Sequence, residues 1–151
     1  AVRCVMSASV GEELKPIHKS ASGGERARIR LALKNVLAEL DSVQTLVFDE
    51  VDTGVSGRAA QRVAEKLAKV SRQKQVLCVT HLPQLAAMAD AHLGVAKGEA
   101  NGRTLTTVTQ LDRAARRREL ARLTGGELQS DAMLKSAGEL LAAAEAFKSA
   151  L

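Results

Sequence analysis

Two adjacent carboxylates follow a short apolar run, in the order Leu46, Val47, Phe48, Asp49 and Glu50. Placing such charge at the end of a buried strand is costly unless a cation or a proton transfer uses it. Asp49 is therefore a candidate for organising Mg²⁺, and Glu50 is a candidate for polarising an attacking water. The two side chains point to opposite faces of a strand, which gives them different roles. The alternative is a strand that ends in two solvated acids.

A turn that contains two glycines forms a second candidate site at Ser22, Gly23, Gly24 and Glu25. The glycines let the backbone approach a ligand closely, and the N–H groups at the start of a helix attract negative charge. Ser22 adds a hydroxyl donor, so a phosphate suits this site. The alternative is a capping box, in which Ser22 and Glu25 do no more than cap the helix.

A histidine, His81, follows a second apolar run at residues 76–80. At the end of a strand beside the first, it could donate a hydrogen bond to a terminal phosphate oxygen. The alternative is a structural histidine at a strand end.

The elements that must position these residues follow the pattern of a βαβ unit. Residues 45–48 and 75–80 are short apolar runs typical of fully buried parallel strands, and residues 57–72 predict the helix that joins them. Ligands bind at the carboxyl ends of parallel strands. We therefore expect the two carboxylates and the histidine to lie at one edge of the sheet.

Two elements are predicted before this unit. Residues 2–8 predict a strand, and residues 24–40 predict an amphipathic helix. One face of that helix is apolar and is expected to be buried, with Ile29, Leu33, Val36, Leu37 and Leu40. The other face is basic, with Arg26, Arg30 and Lys34.

The rest of the chain predicts a short helix, a strand, a hairpin turn, a second strand and two helices. These elements fall at residues 83–90, 93–97, 101–102, 104–109, 113–123 and 131–147. The fold class is therefore α/β, with a mostly parallel sheet flanked by helices, a late β-hairpin and C-terminal helices.

Three motifs, in this order, resemble those of the ATP-binding-cassette ATPases. ASGGE at residues 21–25 resembles the signature motif, LVFDE at 46–50 the Walker B strand, and VLCVTH at 76–81 the switch-histidine strand. From about residue 6 to residue 141, longer stretches resemble the bacterial RecN family of DNA repair proteins, relatives of the structural-maintenance-of-chromosomes (SMC) proteins. These stretches are GEELKPIHKSASGGERARIRLALKNVL, TLVFDEVDTGVSGRAA, QVLCVTHLPQLAAMAD and GRTLTTVTQLDRAARRRELARLTGG.

The resemblance implies a role for each candidate residue. It implies that Glu50 is the catalytic base, Asp49 the Mg²⁺-organising acid and His81 the γ-phosphate sensor. It also implies that the signature turn contacts ATP held by a second head, so that hydrolysis needs a head-to-head homodimer. The residues of that turn are Ser22, Gly23, Gly24 and Glu25.

Two departures from the wider superfamily favour the DNA-repair branch. The D-loop, which often reads SALD, is here Thr53, Gly54, Val55 and Ser56, so its last position lacks a carboxylate. The signature motif ends in a glutamate where transporters usually have glutamine.

The sequence contains no GxxxxGK[ST] motif, so no P-loop lysine is present to hold the β- and γ-phosphates. We expect residues 1–151 to be the C-terminal half of an ATPase head, inactive alone. Its first partner would be an N-terminal Walker A lobe of the same protein, which the resemblance places beyond a long coiled coil.

The net charge of +5 and two basic clusters favour DNA as a partner. The alternative for each cluster is a solvated helix face. The clusters are Lys66, Lys69, Arg72 and Lys74, and Arg113, Arg116, Arg117, Arg118 and Arg122.

The function that these features predict together is ATP hydrolysis in DNA double-strand-break repair and recombination. No apolar run approaches the ~18–20 residues of a membrane span, so we expect a cytoplasmic, nucleoid-associated protein with no membrane partner. The alternatives are the ATPase subunit of a transporter and a non-catalytic DNA-binding or dimerisation module.

Overall fold

A computed structural model describes residues 5–7, 10–11, 13–17, 21–37, 42–100, 102–126 and 130–151. These residues form six strands and five helices. The chain divides into two compact units, Ala1–Thr80 and His81–Leu151.

The first unit begins with two very short strands and a helix. Strand β1 (Val5–Met6) pairs antiparallel with β2 (Lys15–Pro16). The strand predicted at residues 2–8 is thus confirmed at residues 5–6. Residues 2–4 and 8 lie outside the described residues. Helix α1 spans Gly23–Leu37, while the end predicted at 38–40 also lies outside them.

The predicted βαβ unit is confirmed. Strand β3 (Thr45–Phe48) pairs in parallel with β4 (Gln75–Cys78), and helix α2 (Gly57–Val70) joins them. Residues three and four apart give α2 a continuous buried face, which is rich in alanine and so allows close packing. That face consists of Ala60, Val63, Ala64, Leu67 and Ala68.

The prediction that both strands are fully buried is wrong. Leu46 and Phe48 are buried, but Val47 is 68% exposed and its register partner Leu77 is also exposed. Alternate residues of a strand point to opposite faces, and one face of this pair is covered while the other is open. The pair therefore has the alternating burial of a one-sided sheet.

The predicted buried face of α1 is also wrong. Leu33, Val36 and Leu37 are exposed, whereas Leu31, which was not assigned to that face, is 3% exposed. The helix contacts α2 through the side that carries Leu31, so its more continuous apolar stripe lies on the surface.

The second unit contains three helices and a hairpin. Helix α3 (Pro83–Met88) is followed by strands β5 (Leu93–Ala100) and β6 (Arg103–Gln110). The strands pair antiparallel from Leu93 opposite Gln110 to Ala100 opposite Arg103, which confirms the predicted hairpin. Gly102 has a φ of 69°, which suits a tight turn, while Asn101 lies outside the described residues.

Two capped helices end the second unit. Helix α4 (Arg113–Gly125) begins where the Asp112 carboxylate accepts from the Ala115 N–H, and α5 (Asp131–Ser149) begins where Ser130 accepts in the same way. Both pack with α3, and all three contribute to the core. The buried residues are Leu85, Ala86, Ala87, Met88, Leu120, Ala121, Ala137, Leu141 and Ala144. Within the described residues, no helix is both long and apolar enough to cross a membrane.

Candidate functional site

The two carboxylates predicted at the end of β3 are both exposed to solvent. Asp49 and Glu50 leave the strand in a bend, and the Glu50 N–H donates to Asp49 Oδ1 at 2.9 Å. Glu50 has a φ of 60°, in the left-handed region that a non-glycine residue enters at a cost of about 1–2 kcal/mol. This conformation turns the chain sharply out of the strand. Because both acids are solvated, burial of their charge gives no argument for a cation in this structure.

The signature turn lies directly against the segment that follows the acids. A Cβ on Gly24 would stand 2.7 Å from the Thr53 carbonyl oxygen and 3.0 Å from that of Glu50. A Cβ on Gly23 would stand 2.6 Å from Glu50 Oε2. The glutamate side chain can move aside, but the carbonyl oxygens belong to the backbone and cannot. Gly24 is therefore the position that requires glycine.

The capping box that was the alternative for this turn is present. The Ser22 N–H donates to Glu25 Oε2 at 2.8 Å, and the Glu25 N–H donates to Ser22 Oγ at 3.3 Å. The first of these bonds is the main reason that the pKa of Glu25 lies below its usual value. Ser22 Oγ acts here as an acceptor, so its own hydrogen stays available for a ligand. The capping box and a phosphate contact are therefore compatible.

Arg28 holds the D-loop from α1, and the sequence did not suggest this role. Its Nη1 donates to the Thr53 carbonyl oxygen at 2.7 Å and, more weakly, to that of Val51 at 3.4 Å. The D-loop itself turns through a Thr53 N–H to Glu50 carbonyl bond of 3.1 Å and through Gly54, whose φ is 72°. The signature helix and the D-loop are thus joined by side-chain and backbone contacts.

The remaining D-loop positions lead into α2. Val55 is partly buried, while Thr53, Gly54 and Ser56 are exposed. The Ser56 carbonyl oxygen accepts from the N–H groups of Ala59 and Ala60 at the start of that helix.

Asp52 is a second residue that sequence reasoning missed. It is 3% exposed, and its Oδ2 accepts from the Thr80 hydroxyl at 2.6 Å. This bond connects the ends of β3 and β4 immediately before His81. Nearby, burial raises the pKa of the Cys78 thiol to about 11, and the charges of Asp52 and Asp49 act in the same direction. The only signal in the sequence was a third acid in the run DEVD.

His81 is exposed and opens the second unit, just before α3. Its position relative to the residues of the first unit stays a prediction.

The C-terminal end of α3 is held by two cations. Arg116 Nη2 donates to the Ala89 carbonyl oxygen at 2.7 Å, and Lys148 Nζ donates to the same atom at 3.3 Å and to Asp90 Oδ1 at 2.8 Å. Cations at a helix C-terminus also interact favourably with its dipole.

The basic cluster on α4 is mostly used inside the second unit. Arg113 makes two bonds to the Glu145 carboxylate, at 2.6 and 3.2 Å, and Arg117 Nε donates to a backbone carbonyl at 2.8 Å. Arg122 makes two bonds to Glu119, which are the main reason that the pKa of Glu119 is lowered. Such engagement speaks against a DNA-binding patch, and it differs also from the alternative of a solvated helix face, because these cations bond to groups of the same unit.

The basic cluster at the end of α2 and just after it is only partly exposed. Lys66, Lys69 and Arg72 are exposed, but Lys74 is buried.

The exposed carboxylate of Asp49 is the candidate Mg²⁺ ligand on this chain. Over the ranges that the structure describes, no three metal-binding side chains come together. Mg²⁺ commonly takes one or two carboxylates, with waters and substrate phosphates as its other ligands. An exposed Asp49 therefore fits a metal that arrives with a nucleotide, and it does not fit a site built from protein ligands alone.

No protein-family model matches the chain. It is similar to the DNA repair protein RecN of Bacillus subtilis, with 48% identity over 147 residues, which cover 97% of this chain and 26% of that protein. It is also similar to the DNA repair protein RecN of Treponema pallidum, with 45% identity over 142 residues, covering 94% and 25%. The chain spans about a quarter of the length of these curated relatives.

The fold is similar to that of a solved structure. That structure comes from work on the structural biochemistry of ATP-driven dimerization and DNA-stimulated activation of SMC ATPases, and it superposes with a TM-score of 0.54. The match covers 80% of this chain and 70% of that chain, at 24% identity. From identities of 43–48% along nearly its whole length, we conclude that this chain is a homologue of the C-terminal part of the RecN family of DNA repair proteins.

Proposed function

We propose that the protein containing this chain is an ATPase that acts in DNA double-strand-break repair and recombination. The observation that carries the proposal is the fit of Gly24 against the carbonyl oxygens of Glu50 and Thr53. A turn that attracts anions is thereby held beside an exposed carboxylate, within a relative of DNA repair proteins. Residues 1–151 would be the C-terminal half of the ATPase head.

Glu50 is the proposed general base. Its carboxylate is exposed at the end of β3, where it could orient a water for attack on a phosphate. Asp49 is proposed to bind Mg²⁺, which when bound with ATP supplies positive charge to the phosphates. His81 is proposed to donate to the γ-phosphate from the start of the second unit.

The signature turn is proposed to contact ATP held by a second copy of the head. The N–H groups at the start of α1 and the free hydroxyl hydrogen of Ser22 would donate to phosphate oxygens, and the dipole of α1 would favour their charge. Glu25 would not touch the phosphate, because like charges repel. It would orient Ser22 through the two bonds that join them.

The site so proposed is shared between chains and lobes. It needs a Walker A lobe of the same protein to hold the phosphates, since this sequence has no P-loop, and a second head to complete it. The chain alone is therefore expected to be inactive. A protein with this role would work in the cytoplasm on the nucleoid.

The test is ATP turnover by the full-length protein and its Glu50→Gln variant, measured with and without DNA. Loss of the base is expected to lower turnover about a hundredfold or more while ATP binding is retained. Lys135→Gln, an exposed change in α5, serves as the control. Near-normal hydrolysis by Glu50→Gln would remove Glu50 from the base role.

DNA-binding without any ATPase activity in the full-length protein would instead favour a non-catalytic module.

A further inference from the structure

A concave surface of the first unit lies between α1 and α2, and its lining includes neither the signature turn nor the acids. This α1–α2 groove has a volume of about 320 Å³. Its lining combines apolar side chains with cations, which is typical of a site that binds an amphipathic ligand. The lining residues are Arg28, Leu31, Ala32, Asn35, Val36, Arg62, Val63 and Lys66.

The floor of the groove is apolar, and part of it is open to water. Leu31 and Val63 are buried at the base, whereas Val36 is 81% exposed at the edge. Val36 belongs to the apolar stripe of α1 that the sequence predicts to be buried. Covering it would remove apolar surface from water, which is favourable.

The cations that can face a ligand come from α2. Arg62 and Lys66 are four residues apart and therefore lie on one face of that helix, and both are exposed. Arg62 contacts Glu65 at 3.4 Å, but exposed pairs of this kind are weak and exchange partners readily. Arg28 differs, because its guanidinium already donates to the D-loop carbonyl oxygens.

Asn35 adds a polar group whose side-chain donor lacks a hydrogen-bond partner. Its Nδ2 is buried and has no acceptor within the described residues. Leaving a buried donor unpaired is unfavourable, and Asn35 lines the groove. A ligand that carries a carbonyl or carboxylate oxygen would satisfy it.

We propose that the α1–α2 groove binds an acidic amphipathic helix of a protein partner. Apolar side chains spaced three and four residues apart would cover Val36 and fill the floor. Carboxylates beside them would face Arg62 and Lys66. Charge complementarity supports this occupant, because the exposed cations Arg62 and Lys66 at the groove would attract carboxylates. Duplex DNA fits less well, since its phosphates gain nothing from an apolar floor.

The experiment measures fluorescence anisotropy of a labelled helical peptide with the full-length protein. The peptide carries leucines at i, i+3, i+4 and i+7 with glutamates between them, and a matched peptide carries lysines instead. The wild-type protein is expected to bind the acidic peptide and not the basic one. Lys66→Glu and Arg62→Glu are each expected to raise Kd by about fivefold or more.

Two further variants separate the apolar and the electrostatic contributions. Val36→Ser is expected to weaken the acidic peptide by a similar factor, because it removes apolar surface at the edge of the groove. Lys135→Glu reverses an exposed charge on α5 that does not line the groove, and it is expected to leave Kd within about twofold, since exposed charges outside the binding site are screened. Equal melting temperatures across the variants confirm that each is folded. If one of the three groove variants does not fold, the other two still test the proposal.

Three results would overturn the proposal. Equal weakening by Lys66→Glu and Lys135→Glu would show non-specific charge attraction. Displacement of the peptide by duplex DNA, with the same sensitivity to the variants, would make the groove a nucleic-acid surface. Absence of binding to the full-length protein would show that the groove does not accept an acidic amphipathic helix. Because no nucleotide is involved, none of these results depends on the proposed ATPase.

Discussion

Replacing Gly24 with alanine should destabilise the chain although it adds a better helix former. The new Cβ would lie 2.7 Å from the Thr53 carbonyl oxygen and 3.0 Å from both the Glu50 carbonyl oxygen and Thr53 Cβ. Forcing an extra carbon into packed surroundings costs about 1–3 kcal/mol. The gain from replacing glycine in a helix is about 0.5–1 kcal/mol. We therefore expect a net loss of about 1–2 kcal/mol.

Gly138 in α5 provides the matched control, because it too lies in a helix. The nearest atoms to a Cβ there are those of the Arg117 side chain, at 3.6 and 3.9 Å, which is ordinary contact. Gly138→Ala should therefore raise stability by about 0.5–1 kcal/mol. The two alanine variants are expected to shift in opposite directions.

Urea unfolding of the 151-residue chain, followed by circular dichroism, measures both changes in free energy. ATP turnover of the full-length protein with Gly24→Ala adds a functional measurement, which should fall as the turn is displaced from the D-loop. If Gly24→Ala stabilises the chain as much as Gly138→Ala does, the close contact between the signature turn and the D-loop is refuted.

Three other predictions follow from single contacts. Asp52→Ala should lower the free energy of unfolding by about 1–3 kcal/mol, and a double-mutant cycle with Thr80→Val should show coupling; additive effects would contradict the 2.6 Å bond. The raised pKa of Cys78 favours the neutral thiol in the folded chain, so in a Cys4→Ser background stability should fall as pH rises from about 9 to about 11, and a flat profile would speak against its burial. Arg116→Met should lower the free energy of unfolding by about 1–3 kcal/mol, because it removes a donor to the carbonyl oxygens at the end of α3, and unchanged urea midpoints would argue against that role.

Local signals in the sequence predicted most of the elements correctly. The hairpin of β5 and β6 follows from Asn101 and Gly102 between alternating residues, and the structure pairs the strands across that turn. The capping box follows from Ser22 and Glu25 at a spacing of three, and both of its bonds are present. Such features depend on residues close in sequence, and their geometry is set before any long-range packing.

Packing partners could not be predicted in the same way. The apolar stripe with Val36 shows that α1 has a face suited to burial, but periodicity does not say what will cover it. In the structure α2 packs against the side with Leu31 instead. Val47 in β3 gives the same lesson for the sheet, because an apolar run is compatible with one covered face or with two.

Site residues that act through distant partners were also missed. Asp52 reads as one more acid in a run, and only its bond to Thr80, 28 positions away, makes it structural. Arg28 was assigned no role from the sequence, although it binds carbonyl oxygens 23 and 25 positions away. Neither contact can be predicted from the spacing of neighbouring residues.

At Glu50, the left-handed backbone makes the residue that is best for stability different from the residue that the proposed reaction needs. Glycine would adopt a φ of 60° without the steric penalty, so the position favours Gly for stability, while the proposed reaction requires a carboxylate. Selection for thermal stability alone would therefore be expected to replace the residue that the reaction needs. A search for stabilised variants of this chain should accordingly hold Glu50 fixed.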